Sequence, residues 1–335
     1  MNSAHITAAW VYTPAYRIRK EEYLSALGAF SAPGITEKSV AGPDEDPLTM
    51  AVEAVRGLLE ASGTDPSRIR AMCLASTTWP YLHKHPGGAV AEATGLPSNI
   101  FTTCHFASGR AGTEALLTAV LTTHSLGPSL AVISDTPVFS PADPREHGQG
   151  AAAVALLVEP REGDAILSVN AWASTTRESL GTLCAERGNP YPSEQRNQGH
   201  ADQELRDTIV PCVRNLFESS GTDESAFLSL SVNETDAKEP ARYKNALGFS
   251  SARAHTGPVV FLGHTGACSG LLSLLHAASG AAAGSRLLLV SYGYGAACDA
   301  ISFTVKTPSA AWAGQLRPSI YLTYTEYLRY RGLLP

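Results

Sequence analysis

The stretch TTCHFASGRAGTEALL, residues 102–117, decides the fold. Cys104, His105 and Ser108 crowd the entrance to a run in which small residues and two glycines give way to Ala and Leu. A helix of that composition has almost no polar face to offer water, so it belongs at the centre of a molecule. Its N-terminus presents free N–H groups and a partial positive charge, and the glycines let a backbone or a ligand come close. A second corner of the same kind, VVFLGHTGACSG (259–270), opens a second Ala/Leu run at 269–280. From the residues alone, these glycines serve either tight helix packing or a reactive site whose anion the helix ends stabilise.

Around the two corners lie short apolar runs at 71–77, 130–135, 151–158, 166–174, 227–233, 259–264, 287–293 and 300–305. Each reads as a strand buried on both faces. Helical patterns occupy 46–63, 112–124, 202–221 and 269–280, and Pro211 is expected to kink or divide the third. The alternation of strand and helix predicts an α/β protein with a largely parallel sheet. The order of elements occurs twice. That repeat predicts two similar halves, 1–160 and 161–335, packed as one unit with a site at their junction.

Composition narrows the function. The chain has 335 residues, 44% of them hydrophobic, and a formal net charge of −6. It can bury a large core, and no basic stripe points to nucleic acid. Residues 254–285 carry no Asp, Glu, Lys or Arg, but Pro258 and repeated glycines break them, which disfavours a membrane span. The first twenty residues lack a basic region ahead of an apolar one, so no secretory signal is expected. Six cysteines without a CxxC pair fit free thiols in a reducing cytoplasm.

Six segments carry a family resemblance. STTWPY (76–81) with VAEATG (90–95) is similar to S-E-S-x-P-Y and V-A-E-A-x-G. FASGRAGTEAL (106–116) is similar to F-A-C-K-A-G-T-x-A-L, and NETDAKEPARYKNALGF (233–249) to H-Q-P-N-x-K-x-P-x-R with a downstream L-G-F. GHTGACSG (263–270), LLLVSYGYGAACDAISF (287–303) and YLTYTEYLRYRGLL (321–334) are similar to G-N-T-Y-S-G, to S-Y-G-S-G-A-G-S-D-A-F and to a closing Y-x-x-Y-x-x-Y-L-x-x-R-G. In this order the segments resemble the archaeal and bacterial 3-hydroxy-3-methylglutaryl-CoA synthases, relatives of ketoacyl-ACP synthase III in the thiolase superfamily. The resemblance implies a thiolase-like fold with a duplicated five-layer α-β-α-β-α core, and a homodimer. It also implies acyl groups carried as thioesters on coenzyme A or an acyl carrier protein, with no permanently bound cofactor and no metal.

The catalytic positions of that family do not match. Its Glu acid/base falls on Thr77 and its His on Asn233. Its Cys nucleophile falls on Gly109 counting back from RAGT, or on Ser108 counting forward from FA. Its Asn falls on His264, so His and Asn stand exchanged. The ordinary condensation is therefore not expected, because neither the carboxyl nor the thiol is in place.

Ser108 reads either as a nucleophile with His264 as its base or as the cap of the following helix. Asn233 could polarise a carbonyl beside His264, or end a strand as a turn residue. Asp236 and Glu234 could orient His264. Cys104 is a weaker nucleophile candidate, four residues before Ser108. Lys238 and Arg242 could meet the phosphates of coenzyme A or of a phosphopantetheine arm, or simply face water. The expectation is an acyltransferase or condensing enzyme with a non-standard site, in specialised, polyketide-like metabolism. The alternative is a non-catalytic thiolase-fold subunit that scaffolds an active partner.

Overall fold

A computed structural model describes residues 3–141, 143–178, 183–186, 188–189, 191–194, 203–233, 235–250, 252–295, 297–308, 316 and 318–334. Ten strands form one sheet: β1 (Ala4–Tyr12), β2 (Ala71–Ala75), β3 (Phe101–His105), β4 (Ser129–Asp135), β5 (Ala152–Glu159), β6 (Leu167–Thr176), β7 (Ser229–Val232), β8 (Arg253–Ala254), β9 (Arg286–Gly293) and β10 (Ala297–Val305). Their order is β8-β7-β9-β10-β6-β1-β5-β4-β2-β3. Each strand of the first five has a counterpart five places later, and the pairing directions repeat as well. β4 is parallel to β2 and antiparallel to β5, as β9 is parallel to β7 and antiparallel to β10.

The two arms meet where Ala4, His5 and Ile6 pair with Val169, Ser168 and Leu167. Helices α2 (Ala111–Leu126) and α4 (Ser269–Ser279) lie between the arms. Leu116 and Ala119 of α2, and Leu271 and Leu275 of α4, share one core with Ile133, Leu156, Leu289 and Phe303. Outside the first arm, α1 (Pro47–Ser62) packs Met50, Val55 and Leu58 on Met72, Leu74 and Val132. Outside the second, α3 (Val210–Ser220) packs Val213 and Leu216 on Leu230 and Val290. These are the five layers, and helices apolar all round fill the middle one because only there does no face meet water.

Two sequence expectations need correction. The sheet is mixed rather than largely parallel: among the described residues no α-helix crosses over between β4 and β5 or between β9 and β10, and each pair runs antiparallel. Residues 259–264 are not a strand. Val259–Leu262 form one helical turn behind Pro258, whose φ of −66° suits a helix start. The Ser39 hydroxyl, 2.6 Å from the Ala151 carbonyl and 3.1 Å from the Leu262 carbonyl, ties the end of that turn to the residue before β5. The third helical pattern is divided, as expected: a π turn at Leu205–Ile209 gives way to α3, with Pro211 in the first turn of α3.

Residues 320–331 cross back over the 160/161 boundary. Ile320–Tyr321 pair with Tyr16–Arg17, and these pair in turn with Glu37–Val40. Beneath this small sheet Lys38 Nζ lies 2.7 Å from Glu146 Oε1 and 3.2 Å from the Tyr327 hydroxyl, with Lys38 and Glu146 both buried. Desolvation pushes the Lys38 ammonium down to about 8, against the pull of Glu146.

Candidate active site

The C-terminal ends of β2, β4, β7 and β9 converge on the two corners that start α2 and α4. Ala107 enters the first corner with φ +93°. The Ser108 carbonyl accepts the Ala111 N–H at 2.9 Å, while α2 starts with no side-chain cap. Ser108 Oγ lies over the end of β9, where a Cβ at Gly293 would come within 2.3 Å of it. The serine hydroxyl therefore does not cap α2.

Gly109 does face that side. A Cβ at residue 109 would lie 3.2 Å from Asn233 Nδ2. Asn233 is held twice by one residue: its Nδ2 donates to the Tyr292 carbonyl at 2.6 Å, and its Oδ1 accepts the Tyr292 N–H at 2.9 Å. The two ends of the amide cannot exchange without putting donor on donor.

His264 begins the second corner. Its N–H donates to the Gly148 carbonyl at 2.7 Å, and its carbonyl accepts the Gly150 N–H at 2.8 Å. Its Nδ1 lies 3.2 Å from Ser269 Oγ, which also accepts the Thr265 N–H. His264 is half-buried, with its backbone pinned and its ring steadied from the first turn of α4.

Sequence reasoning missed Asp135. This carboxylate ends β4, is wholly buried, and gathers six neutral donors. They are the hydroxyls of Ser76, Thr77 and Thr78 and the N–H groups of Thr77, Thr136 and Ala267, at 2.5–3.3 Å. Thr77 stands at the mouth of the site with its hydroxyl committed to this knot. Ala267 belongs to the second corner, so Asp135 ties both halves together. The only trace in the sequence was a polar triplet, STT, and an Asp, each ending an apolar strand.

The other candidates are placed as follows. Cys104 is half-buried on β3, and desolvation pushes its thiol up, against a weaker bond from Trp79, so it is no thiolate. His105 is packed: its Nε2 lies 3.3 and 3.2 Å from the hydroxyls of Thr103 and Thr118. Asp236 Oδ1 accepts the N–H groups of Lys238 and Glu239 at 2.7 and 3.2 Å, starting the helix Glu239–Ala246. Lys238 is exposed and Arg242 half-buried on that helix. Glu234 lies outside the described residues. Across the halves, Arg110 makes a two-toothed pair with buried Asp299 at 2.9 and 3.1 Å, and Thr113 and Ser174 complete that carboxylate. Among the described residues no three His, Cys, Asp or Glu converge as a metal would need, and no helix is long and apolar enough to cross a membrane.

Comparison with known proteins places this geometry. No family model matches the chain. A hydroxymethylglutaryl-CoA synthase from Aeropyrum pernix is 30% identical over 349 residues, 99% of this chain and 95% of the relative. One from Pyrobaculum arsenaticum is 29% identical over 341 residues, 96% of each. Among solved structures, MvaS in complex with 3-hydroxy-3-methylglutaryl coenzyme A superposes with a TM-score of 0.85 at 21% identity, over 100% of this chain and 93% of that one. The 3-oxoacyl-(acyl carrier protein) synthase III of Pseudomonas aeruginosa superposes at 0.78 and 18% identity, over 92% of this chain and 99% of that one. The fold is thiolase-like.

Proposed function

We propose that this chain, which belongs to the hydroxymethylglutaryl-CoA synthase family, moves an acyl group from a coenzyme A or carrier-protein thioester to an acceptor without an acyl-cysteine intermediate. One observation carries the reading. Gly109, one of the two residues on which the family pattern sets its Cys, faces Asn233, on which that pattern sets its His. No thiol stands there to be acylated, and the neighbouring Ser108 hydroxyl lies over Gly293 instead.

Transfer is then direct. The acceptor's nucleophilic atom bonds to the thioester carbonyl carbon, the C–S bond breaks, and the thiolate leaves with the proton the acceptor gives up. His264 is the group to move that proton, and Asn233 Nδ2 polarises the carbonyl. Thr77, held by Asp135, takes the place of an acid/base without being one. Lys238 and Arg242 are the candidates for the phosphates of the donor, which enters as a substrate. An altered site of this kind suits specialised, polyketide-like assembly better than the ordinary condensation. The assembly proposed is a homodimer through β3, whose outer edge pairs with no strand among the described residues and which exposes Phe101 at its start and Phe106 just past its end.

A second reading has one observation in its favour. Thr77, Gly109 and Asn233 replace all three standard groups, as a non-catalytic subunit scaffolding an active partner would tolerate. A panel of acyl-CoA and acyl-carrier thioesters, with carbon, oxygen and nitrogen acceptors, separates the two. Direct transfer gives acceptor-dependent release of free thiol and no adduct in the intact mass. An adduct abolished by Ser108→Ala makes serine the nucleophile, and one abolished by Cys104→Ala makes it that cysteine. No turnover with any pair, together with stable co-purification with another thiolase-fold subunit, makes the chain a scaffold.

A further inference from the structure

We infer, resting on the acyl-transfer reading above, that the acceptor is a primary amine, one of whose two hydrogens is held by the Thr77 hydroxyl oxygen. Acyl transfer alone leaves the acceptor atom open, and the hydroxyls around Asp135 narrow it.

Three hydroxyls donate to the Asp135 carboxylate, and they differ in what they accept. Ser76 Oγ accepts the Thr78 N–H at 3.1 Å, and Thr78 Oγ1 accepts the Thr136 N–H at 3.0 Å. Thr77 Oγ1 reaches both carboxylate oxygens, at 3.0 and 2.8 Å, and among the described residues no donor reaches it. Ser76 is buried and Thr78 half-buried, whereas Thr77 is exposed. Two of the hydroxyls are closed links of the fold, and the third keeps lone pairs that face outward.

The hydrogen of that third hydroxyl has one direction to take. A hydroxyl has one hydrogen and two lone pairs, and a carboxylate only accepts. With its hydrogen on Asp135, Thr77 presents an acceptor and nothing else. The same carboxylate sets it against the second corner. Asp135 Oδ2 accepts the Thr77 hydroxyl at 2.8 Å and the Ala267 N–H at 2.9 Å, three residues past His264. A Cβ at Gly266 would lie 2.2 Å from that oxygen, and one at Gly109 would lie 3.9 Å from the Gly266 carbonyl oxygen. An acceptor-only oxygen is thus held beside the corners before any substrate arrives.

What binds such an oxygen must bring an N–H or an O–H, since a C–H is a far weaker partner. The count of hydrogens then decides between the two. In the transfer described above, the attacking atom gives one hydrogen to His264. An alcohol has no second one, and a primary amine has. The neutral amine nitrogen bonds through its lone pair to the thioester carbonyl carbon, the C–S bond breaks, and the proton that His264 takes from nitrogen leaves with the thiolate. The other N–H stays on Thr77 Oγ1, so the products are a secondary amide and a free thiol. A carbon acceptor finds no help at this position, where a hydroxyl with its hydrogen turned away stands in place of a carboxyl that could remove a C–H proton.

The test offers acetyl-CoA with benzylamine, N-methylbenzylamine, benzyl alcohol or the carbon acceptor malonyl-CoA, and identifies the products by mass. Benzylamine should give the amide, while the alcohol gives no ester and malonyl-CoA no β-ketoacyl thioester. N-Methylbenzylamine carries a single N–H and should show a kcat/KM about 5-fold lower than benzylamine, the worth of one ordinary hydrogen bond. Thr77→Ser should keep that preference. Thr77→Val, which has the shape without the oxygen, should lose it through a raised KM for benzylamine, with the KM for acetyl-CoA unmoved. Equal rates for the two amines in the wild type would overturn the proposal whether or not Thr77→Val folds. A preference that survives Thr77→Val, or an ester or carbon–carbon product in place of the amide, would also overturn it and leave the acyl-transfer reading standing. No turnover with any acceptor would overturn both.

Discussion

At Ala107 the chain enters the left-handed region with a side chain attached, at φ +93°. Crowding between Cβ and the next carbonyl makes that conformation cost about 1–2 kcal/mol, and such strain persists only where the surroundings impose it. Ala107→Gly should therefore raise stability by about 1 kcal/mol, read as a higher urea midpoint at unchanged slope; a lower midpoint would show that the turn is unstrained. At this scale the sequence was only partly legible. Gly109 and Ser108 were both singled out at the corner, but which of them faces Asn233 was not legible. A residue type does not carry a direction, and the direction of Ser108 is set by Gly293 on a strand of the other arm. Asp135 was invisible for a related reason: its donors come from the ends of β2 and β4 and from the second corner, segments far apart in the chain.

Elements were easier to read when composition left one choice. The two Ala/Leu helices were plain, because an apolar run behind a glycine corner has few other homes. Residues 259–264 were not, since a short apolar run suits a buried strand and a buried helical turn alike, and Pro258 with Ser39 decides for the turn. β1 was passed over because its small alanines blur the alternation of a strand. One consequence concerns the ends of β8 and α4, where His255 and His276 share a hydrogen bond with ring centroids 4.5 Å apart. Burial, helped by His276 and Arg253, pushes His255 down to about 4, and burial lowers His276 as well. The folded state thus resists protons that the unfolded chain takes up below about 6.5, so stability is complete above that pH and falls as the pH drops toward 4. The loss should be of order 3 kcal/mol by urea unfolding at pH 7.5 and 4.5, and His255→Gln should flatten it; an unchanged slope with pH would refute the coupling.

For the molecule as a whole, the doubled order of elements was legible because it is a pattern of composition. The mixed strand directions were not, because direction depends on what a loop does, and among the described residues the loops before β5 and β10 carry no α-helical crossover to be read. Among the described residues the sheet ends on one side at β3, where Phe106 is 70% exposed beside the edge. If two copies pair there, Phe106→Glu should convert the dimer to a monomer in sedimentation analysis with little change in the fold. A wild type that sediments as a monomer at all accessible concentrations would exclude that assembly.

The small sheet that ties Ile320–Tyr321 to Tyr16–Arg17 has a bearing on how the protein is made. A ribosome delivers residues 320–331 after everything they cover. Until they arrive, Lys38 and Glu146 lack the Tyr327 hydroxyl and the roof that keeps water from their ion pair. Gly148, two residues from Glu146, is also the residue whose carbonyl pins the backbone of His264. The corner that carries His264 is therefore backed by residues that leave the ribosome after it.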